Sequence, residues 1–282
     1  MRATKVAAVL AALVLVGTAR AQTYTIKFKK SDVGKGVLHT GTDKTVGLVE
    51  FTGPDGTVLD RNKLNETTEE VFTETVLEKG DAGPKKYKRA YKKVTLPGGR
   101  VAPYQGKTVV FEKKGDKYQA RVEGDAEVPA KDLERLTRRA NTRSDQALER
   151  AYLPGKPVKV GDSWMLDIKA LAASVGDTWD FDPAKSAGTG KLVRVYKQGD
   201  KRHGVLLLKF RLVTKRIGEL PVPATVDGEV TLDTAIDGSS TARTETFTAK
   251  IRARGEIDAG GRKVTVKVDL DGSGKDDRSE EK

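Results

Sequence analysis

Two segments of the sequence place a serine, an aspartate and a histidine in an arrangement that hydrolases use. Gly161–Ser163 offers a nucleophile, and Asp200–His203 offers a base with an acidic neighbour. Only 40 residues separate Ser163 from His203, fewer than serine esterases of the α/β type place between these blocks. Asp200 also follows Gly199, a pair that turn geometry explains by itself. We therefore predict no catalytic residues, and a serine hydrolase using Ser163 remains the alternative function.

The C-terminal residues match the spacing of a calcium-binding loop. Oxygen-bearing residues occupy positions 1, 3, 5, 9 and 12 and a glycine occupies position 6, namely Asp269, Asp271, Ser273, Asp277, Glu280 and Gly274. The surroundings do not suit such a loop, because a strand is predicted before it and Asp276 stands where an apolar residue normally packs. We predict instead a disordered acidic tail over residues 271–282, with no metal site.

The remaining metal-binding candidates are two histidines, His39 and His203, in a chain without cysteine. They lie far apart in sequence and have no companion ligand, so the pattern does not indicate a transition-metal site. We predict that both are surface or turn residues. No cofactor is predicted.

Basic residues alternate with tyrosines in one segment of the N-terminal half. The tyrosines are Tyr87 and Tyr91, and the basic residues are Lys85, Lys86, Lys88, Arg89, Lys92 and Lys93. Such a mixture can follow an anionic polymer and stack against its rings. A strand with one solvated face produces the same pattern, and we favour that interpretation.

The first 21 residues have the three parts of a secretory signal peptide. Arg2 and Lys5 supply a positive start, Val6 to Gly17 form an apolar run, and Ala19 and Ala21 form an A-x-A cleavage pattern. Twelve helical residues extend only about 18 Å, too short for a hydrocarbon core of about 30 Å. We predict cleavage after Ala21 and an exported protein, periplasmic or secreted, with no transmembrane segment in the mature chain.

The charge and composition of the mature chain limit its partners. Removing residues 1–21 takes away three basic residues and no acidic one, so the formal net charge falls from +12 to +9. Without cysteine the chain has no disulfide, no thiolate metal site and no cysteine nucleophile. We expect no nucleic-acid partner for an exported protein. The excess positive charge serves solubility or suits lipid headgroups and anionic envelope polymers.

Period-two alternation of polar and apolar residues predicts strands in two regions, residues 22–128 and 177–270. The connections are short and rich in glycine and aspartate, which favours antiparallel meanders. The predicted strands lie at 24–28, 46–51, 71–77, 87–96, 108–111, 118–122, 191–197, 205–215, 225–236, 244–254 and 263–270.

Residues 129–176, between the two β regions, have helical periodicity. Pro129 suits a first helical turn, and Leu133, Leu136 and Ala140 follow at helical spacing. A second helix is predicted over residues 145–152. Asp167 is a suitable N-cap for a third, short helix. These amphipathic helices are expected to pack against a sheet.

Two segments repeat each other at a constant offset of 84 residues. Residues 106–117 and 190–201 share seven of twelve positions, including Gly-Lys at the start and Gly-Asp-Lys at the end. Two interpretations remain open. Either two hairpins use the same turn chemistry, or a β unit is duplicated to give two related β halves.

The run Leu153–Trp164, with the sequence LPGKPVKVGDSW, and the preceding Tyr104–Lys107 resemble a group of uncharacterised exported bacterial proteins. The resemblance implies export and a β-rich fold, and no functional residue carries over from it. We predict a mainly β protein of antiparallel meander sheets with a short helical middle segment. The predicted function is non-enzymatic binding of an apolar ligand, such as an acyl chain, or of an anionic envelope ligand.

Overall fold

The computed structural model describes residues 22–80, 83–124, 127–142, 145–175, 180–218 and 220–281. The predicted signal peptide, residues 1–21, therefore lies outside the described residues. The strands are β1 (Thr23–Tyr24), β2 (Gly36–Thr52), β3 (Val58–Gly80), β4 (Gly83–Leu96), β5 (Arg100–Val101), β6 (Thr108–Lys114), β7 (Lys117–Val122), β8 (Val158–Lys159), β9 (Ser163–Met165), β10 (Ala187–Gln198), β11 (Lys201–Thr214), β12 (Ala224–Ala235), β13 (Arg243–Asp258) and β14 (Lys263–Glu280). The α-helices are α1 (Ala130–Thr142), α2 (Asp145–Tyr152) and α3 (Ile168–Val175).

Twelve of these strands form one antiparallel sheet, in the order β7-β6-β4-β3-β2-β14-β13-β12-β11-β10-β9 with β5 beside β4. Most neighbours are consecutive in sequence, as short turns require. β4 and β6 are separated in sequence only by the short β5. The long-range exception is the pairing of β14 with β2, which runs from Thr265 opposite Thr52 to Glu280 opposite Val37. It joins the two predicted β regions into one sheet. The predicted fold class, mainly β with antiparallel meanders and a short helical segment, is confirmed.

The sheet has one face covered by helices, which we call the covered face, and an opposite open face. On β12, Val226, Val230 and Leu232 are buried on the covered face, while Asp227 and Glu229 between them are exposed on the open face. This alternation gives the strand its period of two. Each aliphatic side chain buried in this way stabilises the fold by about 1.5–3 kcal/mol.

The three helices form as predicted and cover two parts of the sheet. Leu136 and Ala140 of α1 pack with Tyr91 and Phe111 of the sheet, whereas α2 and α3 pack over the strands β10 to β12. The Asp167 carboxylate accepts a hydrogen bond from the Ala170 amide at 3.0 Å, so the predicted N-cap of α3 is confirmed.

Helix α1 also protects the outer edge of the sheet. Asn141 accepts a hydrogen bond from the Tyr118 amide at 2.7 Å and donates one to the Tyr118 carbonyl at 3.0 Å. Thr137 accepts a hydrogen bond from the Ala120 amide. Side chains of the helix thus take the place of a further strand beside β7, and an exposed edge that could pair with another chain is avoided.

The prediction of a disordered tail over residues 271–282 is wrong, because β14 continues to Glu280. Its acidic side chains have partners on the neighbouring strands: Arg252 contacts Asp269 at 2.9 Å and Asp271 at 3.3 Å. Thr244 donates a hydrogen bond to Asp277 at 2.7 Å. The composition of the tail is that of a disordered segment, but cross-strand pairing with β13 and β2 fixes it.

The two similar segments both form antiparallel hairpins, as predicted. Gly115 and Gly199 begin the two turns with the same φ of 63°, a backbone conformation that favours glycine. The register agrees as well, since Glu112 lies opposite Gln119 and Tyr196 lies opposite His203. The equivalence does not extend beyond the hairpins. At the same offset of 84 residues, the strand β4 corresponds to a segment that contains the helix α3. Within the described residues the likeness is one of two hairpins and does not extend to two related β halves.

The N-terminal strand is shorter than predicted. Only Thr23 and Tyr24 pair as a strand, with β8, and Lys27 then makes an isolated bridge to Asp237. The following residues cross one end of the covered face. Among the described residues, no helix is long and apolar enough to cross a membrane.

Candidate binding cavity

The structure does not bring together Ser163 and His203, the candidate residues of the alternative hydrolase function. Ser163 is exposed on β9 and lies opposite Lys191, which in turn lies opposite Leu207 of β11. His203 is four residues from Leu207, so the two residues are separated by about 13 Å along the strand and two strand spacings of about 4.8 Å. A serine must be within hydrogen-bonding reach of its base to be activated. Ser163 and His203 therefore do not form a catalytic pair.

The prediction that both histidines are surface or turn residues is wrong. His203 is 9% exposed and His39 is 6% exposed, and each lies within a strand, near its start. The His203 Nδ1 atom lies 3.8 Å from the Asp233 carboxylate, and the His39 ring stacks on Phe72 with centroids 4.6 Å apart. Among the described residues, no three histidine or acidic side chains are close enough together to hold a metal ion.

The residues that match the calcium-loop pattern lie along one extended strand, β14. Its first and last positions, Asp269 and Glu280, lie eleven residues apart on β14, which places them about 36 Å from each other. Ligands at this distance cannot converge on one ion. The pattern therefore reflects the composition of the strand.

The segment of basic residues and tyrosines lies partly in the hydrophobic core. Tyr87 and Tyr91 are buried against α1 and its neighbours, so neither ring is available to stack on a polymer. Arg89 lies between them, 2.9 Å from Glu74 and 4.7 Å above the Phe72 ring. Burial opposes its charge, but the Glu74 carboxylate raises the pKa of Arg89 above its ordinary value. This ion pair is internal to the protein.

A cavity of about 160 Å³ lies at one end of the covered face, beneath the N-terminal segment 28–31. One wall is apolar and is formed by Phe28, Val37 and Val76. The helix α2 contributes Glu149. The floor is polar, because the strands β12, β13, β14 and β2 present the side chains of Thr234, Arg243, Arg278 and His39 to the cavity.

Two arginines face each other in this floor. Arg243 and Arg278 are direct cross-strand partners, and their side chains are only 15% and 14% exposed. The nearest acidic group to Arg243 is Glu245, at 3.6 Å from Nη2, and Asp276 lies 3.6 Å from the Arg278 Nε atom. Both contacts are longer than a normal hydrogen bond. The Arg243 Nε atom is buried and makes no hydrogen bond within the described residues.

The rim of the cavity is fastened by the end of β14. The Glu280 carboxylate accepts hydrogen bonds from the Thr241 amide at 3.0 Å and from Lys29 at 3.3 Å, and Lys201 lies 3.8 Å away. The Thr241 amide lowers the pKa of Glu280 to about 2; partial burial opposes this, and the two lysines add to it. Thr241 and Lys29 both line the cavity. The carboxylate thus ties the segment that covers the cavity to the loop beside its floor.

A larger groove, of about 800 Å³, crosses the open face. On the strands β10 to β14 it is bordered by two open-face residues that flank one covered-face residue, as Asp227 and Glu229 flank Gly228. Its charges are largely compensated, since Lys209 pairs with Glu229 at 2.9 Å and Arg211 lies 3.8 Å from Asp227. The small cavity is therefore the better candidate site.

Sequence reasoning missed this cavity and both of its arginines. A signal was present on β13, because Arg243 has the same strand parity as Phe247 and Ile251 and must point to the face that they cover. Arg278 gives a weaker signal, since glycines and acidic residues surround it on β14.

Comparison with known proteins does not assign the chain to a family. No protein-family model matches the chain, and no curated protein matches it either. Among solved structures, the crystal structure of MucB in complex with MucA(peri) aligns with 82% of this chain and 88% of that chain, at 9% sequence identity and a TM-score of 0.13. A likeness at this level supports no argument about fold or function.

Proposed function

We propose that this protein is exported and that it binds a ligand, without catalysis, in the cavity beneath the segment 28–31. The observation that carries the proposal is a cavity that is covered, apolar on one side and cationic on its floor. Binding sites commonly combine apolar walls with a few polar groups that orient the ligand. The N-terminal sequence, with an apolar run and an A-x-A pattern, supports export.

A binding role also fits the surroundings of Ser163, the nucleophile of the alternative hydrolase function. Ser163 and His203 are far apart, and the His203 side chain contacts the Asp233 carboxylate and the Tyr196 ring instead. The two arginines in the cavity floor, Arg243 and Arg278, stay protonated and act as hydrogen-bond donors rather than as general bases. The chemistry they offer is recognition of a negative group.

The proposal is tested by native mass spectrometry of the protein purified from its own cells. The wild-type chain should begin at Gln22 and should carry a co-purifying mass. Val76→Trp, which places a large ring in the cavity wall, should lose that mass. Val193→Trp is the matched control, because Val193 is 42% exposed and lies outside the cavity. It should retain the ligand.

Two results would contradict the proposal. A mature chain that still contains residues 1–21 would remove the argument for export. A co-purifying mass that Val76→Trp retains in full, in a folded variant, would place the ligand elsewhere on the protein.

A further inference from the structure

The charged residues are divided unevenly between the two ends of the sheet. At the end where β14 finishes, the connections and the strand ends beside them contain 14 basic and 9 acidic residues; they are residues 22–35, 78–86, 112–117, 197–202, 236–242 and 279–282. At the opposite end the corresponding count is 7 basic and 8 acidic residues, over residues 53–57, 97–107, 123–129, 180–186, 215–223 and 258–263. The first end is therefore strongly positive, and the second is close to neutral.

The positive charge is concentrated around one shared carboxylate. The Asp32 carboxylate lies 3.6 Å from the ammonium groups of Lys29, Lys35 and Lys79 alike. Lys29 and Lys35 belong to the N-terminal segment, whereas Lys79 lies at the end of β3, so three lysines from two parts of the chain meet at a single acidic group. One negative charge offsets only one of the three.

The second carboxylate at this position is also shared. Glu280 lies 3.3 Å from Lys29 and 3.8 Å from Lys201. Lys30 follows Lys29 and lines the same cavity. We call these five residues the lysine cluster: Lys29, Lys30, Lys35, Lys79 and Lys201. With both carboxylates counted the cluster keeps an excess of three positive charges, and an excess of two remains when Asp81 of the β3–β4 connection is counted as well.

The ammonium groups of the cluster are accessible to a partner. The side chains of Lys35, Lys79 and Lys201 are 72%, 54% and 36% exposed. Ion pairs between exposed side chains contribute little to stability, because water screens them. These lysines can therefore exchange their contact with a carboxylate for a contact with an external anion at small cost.

An exposed apolar side chain lies among these charges. Val33 is 50% exposed and stands between Lys29 and Lys35 in the sequence. Its segment is held against β3, because the Gly34 amide donates a hydrogen bond to the Val76 carbonyl at 2.9 Å. At a membrane surface, lysines meet the lipid phosphates while an apolar side chain enters the boundary between headgroups and acyl chains. A soluble anionic polymer would use the lysines but has no apolar layer to receive Val33.

We infer that this end of the sheet, with the lysine cluster and Val33, binds the surface of an anionic lipid bilayer. The inference goes beyond the proposed cavity function and does not depend on the ligand of the cavity. Lys29, Lys30 and Lys79 also line the cavity, so the segment that covers it would face the membrane.

Co-sedimentation of the mature protein with lipid vesicles tests the inference. Vesicles made of equal parts of phosphatidylcholine and phosphatidylglycerol should bind the protein, and vesicles of phosphatidylcholine alone should not. Raising the sodium chloride concentration from about 0.1 M to about 1 M shortens the screening length from about 10 Å to about 3 Å, and should release most of the bound protein.

Paired substitutions locate the surface. Lys35→Gln with Lys79→Gln should weaken binding by about 25-fold, since each lysine near an anionic bilayer contributes about fivefold. The control is Arg262→Gln with Lys263→Gln, which removes the same charge in the exposed turn before β14, about 56 Å along that strand from Glu280. It should leave the affinity within twofold.

Val33→Ser tests the apolar contact separately. It should weaken vesicle binding by about threefold or more, because a half-exposed valine gains burial only when it enters the bilayer. Soluble poly-L-glutamate, at the same concentration of negative charge, is the comparison polymer. It should bind more weakly than the anionic vesicles and should not distinguish Val33→Ser from the wild type.

Three outcomes would overturn the inference. The first is equal binding to the two kinds of vesicle, or binding to neither. The second is an equal loss in both double variants, which would show a dependence on net charge alone. The third is binding of poly-L-glutamate as tight as that of the vesicles with no effect of Val33→Ser on either, which would assign the surface to a soluble polyanion. The cavity function is judged independently, by the co-purifying mass and its loss in Val76→Trp.

Discussion

The contacts of Glu280 predict how the stability of the protein depends on pH. The carboxylate holds the N-terminal segment, through Lys29, and the loop after β12, through the Thr241 amide. We consider Glu280→Gln, which keeps the size of the side chain and removes its charge. The variant should be less stable than the wild type at neutral pH, since charge-assisted hydrogen bonds are stronger than neutral ones.

The magnitude follows from the pKa of Glu280, which is about 2 in the folded protein against an ordinary value of 4.5. The difference between these two pKa values corresponds to an upper limit of about 3 kcal/mol. The side chain is 39% exposed, so solvent screening reduces this considerably. We expect Glu280→Gln to lower the free energy of unfolding by about 1 kcal/mol at pH 7.

The sign of the pH dependence is fixed by the direction of the shift. A carboxylate with a lowered pKa stabilises the folded state fully above its unfolded pKa, and the contribution disappears as the pH falls through the folded pKa. The difference between wild type and variant should therefore be complete at pH 7 and should shrink between pH 4.5 and pH 2.

Urea denaturation at pH 7, 4 and 3 measures this difference directly. Glu256→Gln is the control, because Glu256 is 62% exposed and its ion pair with Lys263 has a distance of 3.7 Å. It should show no measurable change at any pH. Equal stability of Glu280→Gln and the wild type at pH 7 would refute the reasoning, as would a difference that is just as large at pH 3.

Three further predictions follow from the packing. Gly274→Ala should destabilise the protein by about 1–3 kcal/mol in urea denaturation, because its methyl group would collide with the Phe247 ring. Gly272→Ala should not, because its methyl group would make only an ordinary contact of 3.9 Å with the Ala249 carbonyl oxygen. Equal effects of the two substitutions would contradict this account. Leu206→Ala, in the fully buried core, should cost about 2–5 kcal/mol, and Met165→Ala, which is 69% exposed, should be close to neutral by thermal unfolding. Calorimetry should show no tight one-to-one binding of calcium to the protein, because β14 is extended. Tight binding that Glu280→Ala abolishes would contradict the extended conformation of β14.

The sequence by itself determined the local structure of the protein. Alternation of side chains along β12 and β13 predicted strands, and helical spacing from Leu133 to Ala140 predicted α1. Asp167 predicted where α3 begins. These features could be predicted because they depend on residues within a few positions of each other, whose periodicity and capping act through the local backbone.

Only the tertiary structure decided the course of β14 and the composition of the cavity. The acidic end of β14 has too few apolar residues to predict a strand, and it is ordered because β13 and β2 supply partners such as Arg252 and Thr244. Arg243, Arg278 and His39 come from three distant parts of the chain and meet because β14 pairs with both β13 and β2. Long-range register of this kind depends on the energy of the whole sheet, and the pattern of any single strand does not contain it.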